Sequence, residues 1–163
     1  VMGIETGILV GVIVTLVLYL RKTSRPHVAI VGRLGESEHY RNIHRHPVQT
    51  CPHVLAMRID ESLYFANAQY LETLLLDTIA DQPQVDRLVL ICSAVNSIDT
   101  SALETLEELG REVREAGVDL YLAEIKGPVM DRLQRIGFIE RFGSDRVFLS
   151  THAAMQALRC SGN

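Results

Sequence analysis

The sequence predicts an α/β domain, a mostly parallel central sheet with flanking helices, preceded by one transmembrane helix. Three observations predict it. Strand-like runs alternate with helix-like runs from Val54 onward, the pattern of a largely parallel sheet with helical crossovers. The run Arg87–Cys92 is nearly all apolar, as expected of a central strand covered on both faces. The first twenty residues carry one charge, Glu5, and end abruptly at Arg21-Lys22.

Twenty helical residues reach roughly 30 Å, the thickness of a bilayer core. Tyr19 lies just inside the basic edge, where an interfacial aromatic belongs, and the positive-inside rule puts everything after Leu20 on the cytoplasmic side of the inner membrane. A signal peptide has its basic residues before the apolar run, and here the order is reversed. Gly3, Gly7 and Gly11 share one helix face and permit close approach of a neighbouring helix, while Glu5 is costly against lipid. Residues 1–20 therefore read as the last membrane helix of a larger membrane domain.

Residues 21–53 read as a connector with a short first strand, Val28–Val31, and breakers at Pro47 and Pro52. The soluble domain proper is placed at residues 54–163. Val54–Ile59 reads as a strand that Ser62–Phe65 continues after a turn at Asp60-Glu61. Asn67 is suited to cap a helix running to Ala80, with Leu71, Leu74, Leu75 and Ile79 on one face and Pro83 as its stop. After the Arg87–Cys92 strand, Ser101 and Glu104 match a capping box for a helix to Ala116, with Gly117 at its end. Leu103, Leu106, Leu109 and Val113 form its apolar stripe. Val118–Ile125 is a further strand. Pro128 opens a short helix stopped by Gly137, Arg146–Leu149 is a last strand, and Thr151 caps a final helix ending near Leu158-Arg159-Cys160.

The formal net charge of −4 gives no basic surface for a phosphate backbone, which argues against nucleic acid as a partner. His39, His44, His46, Cys51 and His53 crowd one polar stretch, but their spacing matches no closed metal site, so neither metal nor cofactor is expected. Asp60, Glu61 and Asp99 can meet at one sheet edge. No nucleophile–base pair accompanies them and no glycine-rich phosphate loop is present, so an enzyme is not expected.

The segment with most chemical content is Cys92–Leu103, where a buried strand passes through a short loop to a helix start at Asp99-Thr100-Ser101. A helix start exposes unpaired N–H groups and favours negative charge. Thr100 and Ser101 are candidate phosphoacceptors, and Ser93, Asn96 and Asp99 support the helix N-terminus; ordinary capping accounts for the same residue types. Asp60, Asn67 and Lys126 are candidates for an anion, nucleotide or partner surface. Lys126-Gly127-Pro128 reads equally as a turn with proline at the first helical position.

Asp99-Thr100-Ser101-Ala102-Leu103, following Ser93-Ala94-Val95-Asn96, resembles the signature loop of STAS domains, shared with bacterial anti-sigma factor antagonists. Arg25-Pro26-His27, Gly32-Arg33-Leu34 and Tyr40-Arg41-Asn42 resemble the stretch after the last membrane helix of SulP-type sulfate permeases. Arg58-Ile59-Asp60, Leu63-Tyr64-Phe65-Ala66-Asn67-Ala68 and Lys126-Gly127-Pro128-Val129 are similar to the same family. The resemblance implies a cytoplasmic regulatory domain of a secondary sulfate or bicarbonate transporter, the segment itself not transporting. Its implied partners are the membrane domain of the same transporter, a protein or nucleotide at the Asp99-Thr100 loop, and a second copy in a homo-oligomer. The alternative is a membrane-anchored, antagonist-like phosphorylation switch. The antagonists' phosphorylated residue maps onto Thr100. They usually have glycine two residues later, where this chain has Ala102.

Overall fold

The computed structural model describes residues 3–158. Helix α1 (Ile4–Thr23) has none of its residues buried, touches the domain near its C-terminal end, and is long and apolar enough to cross a membrane. It runs one turn beyond the expected end at Leu20, taking in Arg21 and Lys22, basic residues that suit the negative end of a helix dipole.

The sheet has the order β2-β1-β3-β4-β5-β6, with β1 (Val28–Arg33), β2 (Tyr40–Asn42), β3 (Val54–Ile59), β4 (Arg87–Ile91), β5 (Asp119–Ala123) and β6 (Val147–Phe148). From β3 to β6 the pairing is parallel; β1 is antiparallel to both β2 and β3. The crossovers are α2 (Phe65–Ala80), α3 (Thr100–Glu115), then α4 (Gly127–Arg135) with α5 (Phe138–Phe142); α6 (Thr151–Ala157) follows the last strand.

Strand periodicity divides the core into two layers. Leu55, Met57 and Ile59 of β3, Leu88 and Leu90 of β4, and Leu120 and Leu122 of β5 face α2, α3, α4 and α5. Val54, Ala56, Val89, Ile91 and Ala123 face the other way, against Ala154, Met155 and Leu158. Larger side chains thus meet the multi-helix layer, and smaller ones lie beneath the short α6. Among the described residues Cys92 is a free cysteine; burial, with a contribution from Glu124, pushes its thiol up to about 12, so it acts as a small core hydrophobe.

Several local expectations are corrected. Residues Ser62–Phe65 do not extend β3: Leu63 makes one bridge to Ile98, and Phe65 already opens α2. Asn67 is not the cap of α2. Tyr64 is, and Asn67 sits three positions in with its side chain returning to the Tyr64 N–H. Helix α3 is capped by Asp99 rather than Ser101, and α6 by Ser150 rather than Thr151. In each case the cap is the last extended residue before the helix, and a competent capping side chain stands one to three positions later. The expected end of α6 at Arg159-Cys160 lies outside the described residues.

Three elements are additional among the described residues, one of them a 3-10 turn at Ser144–Arg146. Strand β2 arises in a polar stretch because β1 offers it an edge, with Gly32 opposite Arg41. Helix α5 follows Gly137, whose φ of 70° is open to glycine without strain and lets the chain stop α4 and restart at once.

Candidate functional site

The loop from Cys92 to Thr100 lies at the C-terminal edge of the parallel strands, where ligand sites gather in open α/β sheets. Val95 and Ile98 are buried and anchor it, so the polar residues between them are held outward. The Leu63 N–H donates to the Ser97 carbonyl (3.0 Å), and the Asp99 N–H to the Leu63 carbonyl (3.1 Å).

Asp99 caps two helices at once. Its Oδ1 accepts from the Ala102 N–H (2.8 Å) in the first turn of α3, and its Oδ2 from the Phe65 N–H (2.9 Å) at the start of α2. Both donors are orphans of a helix start, so one carboxylate satisfies two helices and places its charge where both dipoles favour it. The α2·α3 pair is thereby tied at its N-terminal ends, above the apolar contact made by Leu71, Leu75, Leu106 and Leu109.

Ser62 and Asn67 complete the frame. Ser62 Oγ accepts from the Asn96 and Ser97 N–H groups, both at 3.2 Å. Asn67 is 0% exposed; its Oδ1 accepts from the Tyr64 N–H (3.0 Å) and its Nδ2 donates to the Ser62 carbonyl (2.9 Å). Its amide is used internally, so it cannot form part of a binding surface, and that expectation is corrected. Lys126 does reach the loop: its Nζ donates to Asn96 Oδ1 (2.6 Å) from the N-cap of α4.

Thr100 and Ser101 are exposed at the first two positions of α3. Their N–H groups make no hydrogen bond among the described residues, in contrast to Ala102 and Leu103, which donate to Asp99. The loop therefore presents two hydroxyls and two free donors around a carboxylate that is already engaged.

Not all expected residues join this site. Ser93 turns to the α6 side of the sheet, into a polar cleft of about 190 Å³ with Tyr40, Arg58, Glu124 and Thr151. Asp60 is drawn toward β1, with Oδ1 on Arg58 Nε (2.5 Å) and Oδ2 on His27 Nδ1 (2.7 Å). Partial burial acts to raise its pKa, but the hydrogen bonds from Arg58 and His27 outweigh it and hold the carboxyl below its usual value. Asp60 and Asp99 thus serve separate partners. Among the described residues no group of three or more His, Cys, Asp or Glu side chains comes together in a metal-binding arrangement.

Sequence reasoning missed Ser62, Tyr64 and Glu124. The Tyr64 hydroxyl donates to the Thr23 carbonyl (2.7 Å), at the C-terminus of α1, where helix carbonyls lack internal partners. The Arg25 guanidinium lies 5.9 Å from the Tyr70 ring centroid and adds a second contact between the connector and α2. Glu124, with φ of 59°, accepts from the Thr151 N–H and hydroxyl and so fastens α6. No spacing in the sequence pointed to these contacts, which join residues 27 positions apart for Glu124 and 41 for Tyr64.

The family pattern of the STAS domain matches residues 46–154. The chain belongs to the STAS domain family. This STAS domain is 30% identical over 165 residues to Sulfate transporter 1.3 of Arabidopsis thaliana, covering 95% of this chain and 25% of that protein. It is 33% identical to Probable sulfate transporter 4.2 of the same plant, covering 94% of this chain and 24% of the relative. It is thus homologous to the C-terminal part of SulP-type sulfate and related anion transporters, and spans about a quarter of their length. In fold it is similar to the murine solute carrier 26 family member A9 anion transporter in its inward-facing state (TM-score 0.79, 21% identity, 95% of this chain, 26% of that one). The isolated SulP transporter STAS domain of Vibrio cholerae also shares the fold (TM-score 0.56, 19% identity, 72% of this chain, 89% of that one).

Proposed function

We propose that this STAS domain regulates a SulP-type secondary transporter of sulfate or bicarbonate, to whose membrane domain α1 attaches it on the cytoplasmic side of the inner membrane. Transport itself belongs to the membrane domain, and no catalytic turnover is assigned to this segment. The Asp99–Thr100 loop receives the signal, either as a phosphoryl group on Thr100 or Ser101 or as a bound protein or nucleotide. A second copy of the transporter is a further expected partner.

The observation that carries this reading is the unbroken path from the loop to α1. Asp99 holds the Phe65 N–H, Phe65 follows Tyr64, and the Tyr64 hydroxyl holds the last turn of α1. A phosphoryl group on Thr100 adds close to two negative charges beside Asp99. Its oxygens compete for the free N–H groups of α3, while repulsion pushes Asp99 off the Phe65 N–H. Loosening the first turn of α2 then alters the support of α1. Coupling of this kind requires contacts that differ between two states, and the Asp99–Phe65 bond is the contact expected to differ.

The test is labelled sulfate and bicarbonate uptake by the full-length transporter carrying Thr100→Glu or Thr100→Ala. Altered uptake with Thr100→Glu, near-normal uptake with Thr100→Ala and equal surface expression are the expected results. Unchanged uptake in a folded Thr100→Glu protein would sink the switch. Absence of any anion uptake by the intact, inserted protein would favour the membrane-anchored antagonist-like reading instead.

A further inference from the structure

At the opposite edge of the sheet, the N-terminal ends of the parallel strands, a second concavity opens between α3, α5 and the start of β6. It encloses about 200 Å³ and is lined by Glu107, Gly110, Arg111, Arg114, Leu120, Arg141, Phe142 and Arg146. Positions 107, 110, 111 and 114 are spaced so that they share one face of α3. Four arginines against one glutamate line the cleft, in a chain whose net charge is −4.

The arginines are unequally committed. Arg141 is fixed, with Nε and a terminal nitrogen on Glu107 Oε1 (3.1 and 2.7 Å) and the other on the Ile136 carbonyl (3.0 Å). Arg111 and Arg146 have only long contacts, to Glu108 at 3.5 Å and Asp119 at 3.3 Å. The exposed Arg111–Glu108 pair holds its guanidinium weakly, whereas the Arg146 side chain is only 24% exposed and is held more firmly. The Arg114 guanidinium makes no hydrogen bond or ion pair among the described residues; its backbone carbonyl accepts from the Gly117 N–H (3.0 Å). Arg114 is thus free to turn toward an incoming group, Arg111 gives up only an exposed pair to do so, and Arg146 would exchange its contact with Asp119.

The floor is apolar and firm. Phe142 stacks on Phe138 with centroids 5.5 Å apart and planes at 11°, and Leu120 belongs to the core. Gly110 leaves room beside the partly exposed Phe142 ring, over the buried Leu120: a Cβ there would stand 3.7 Å from Leu120 Cδ2 and 3.9 Å from Phe142 Cε2. Helix α3 tolerates the glycine at a cost of about 1 kcal/mol relative to alanine. The space it opens lies directly inside the ring of arginines.

We propose that this cleft binds a small soluble organic oxyanion: a phosphate or sulfate ester carried on an apolar body. Arginine forks match a tetrahedral dianion in charge and geometry, and the Leu120–Phe142 floor takes the apolar part. A bare inorganic ion would leave that floor wet. The cleft faces away from the edge where α1 joins the domain, so the ester is a free solute rather than a lipid headgroup. The site is separate from the Asp99 loop and does not depend on the regulatory reading.

Calorimetric titration of the complete 163-residue chain in non-ionic detergent tests the site, with phenyl phosphate, phenyl sulfate, inorganic phosphate and phenol as probes. The two esters are expected to bind saturably, at least about tenfold tighter than inorganic phosphate, with phenol alone silent. Arg114→Glu should weaken ester binding by about tenfold or more; it also sets a negative charge in the last turn of α3, so the melting temperature should fall slightly with the fold retained. Gly110→Ala should weaken it while preserving α3. Phosphatidic acid added to the micelles should leave ester binding unaltered. Equal binding by wild type and Arg114→Glu, equal affinity for the esters and inorganic phosphate, displacement by phosphatidic acid, or no saturable binding would each overturn the proposal.

Discussion

The two edges of the sheet are built on opposite principles. At the C-terminal edge the polar groups are bonded to one another: Asp99, Ser62 and Asn67 each serve two backbone or amide partners, and the exposed hydroxyls of Thr100 and Ser101 are left to respond. At the N-terminal edge the charged groups surround open space, and the Arg114 guanidinium has no polar partner among the described residues. A closed network transmits a disturbance because any change in one bond must be absorbed by the next. An open cluster takes a ligand through the groups it leaves unengaged, here the Arg114 guanidinium and the weakly held Arg111. Mutations should therefore destabilise the first edge and leave the second standing.

The largest effect is expected from Asn67→Leu. It leaves the Tyr64 N–H and Ser62 carbonyl unpaired near a buried position, and about 3 kcal/mol of stability should be lost in denaturant titration. Asp99→Ala removes two caps together and should cost about 2–3 kcal/mol. Its signature is faster amide exchange at both Phe65 and Ala102. If only Ala102 responds, the two helices are not joined through this carboxylate.

Tyr64→Phe should cost about 1 kcal/mol or less, because one hydrogen bond to an accessible carbonyl is lost. The more telling readout is exchange in the last turn of α1, expected to rise while α2 and α3 stay protected. Asp60 provides a smaller, pH-dependent effect. Its folded pKa lies below the reference value of 3.8, so the stabilisation it brings is present above pH 3.8 and is lost as pH falls through the lower folded value. Wild type should thus exceed Asp60→Asn in stability near neutral pH, and the two should converge in acid. Smallest of all is Arg114→Ala, expected to leave the melting temperature unchanged; a clear fall would show that Arg114 is structural after all.

The alternation of elements, the buried central strand and the membrane-length helix were legible because each depends on apolar periodicity along the chain. The stripe Leu103, Leu106, Leu109 and Val113 is buried as its spacing required, and the Cys92–Leu103 loop stood out by its residue types. Cap positions were not legible, since Asp99, Thr100 and Ser101 are all competent caps and only the backbone path selects among them.

Strand β2 was hidden for a related reason: its polar residues gain strand geometry only from the edge that β1 supplies. Chain periodicity determined which faces are apolar and hence the class of fold. Tertiary structure alone decided that Asp99 serves Phe65 as well as its own helix, that Ser93 faces the other side of the sheet, and that arginines from α3, α5 and the approach to β6 meet over one apolar floor. Those contacts join residues far apart in sequence, and nothing periodic along the chain encodes a meeting of that kind.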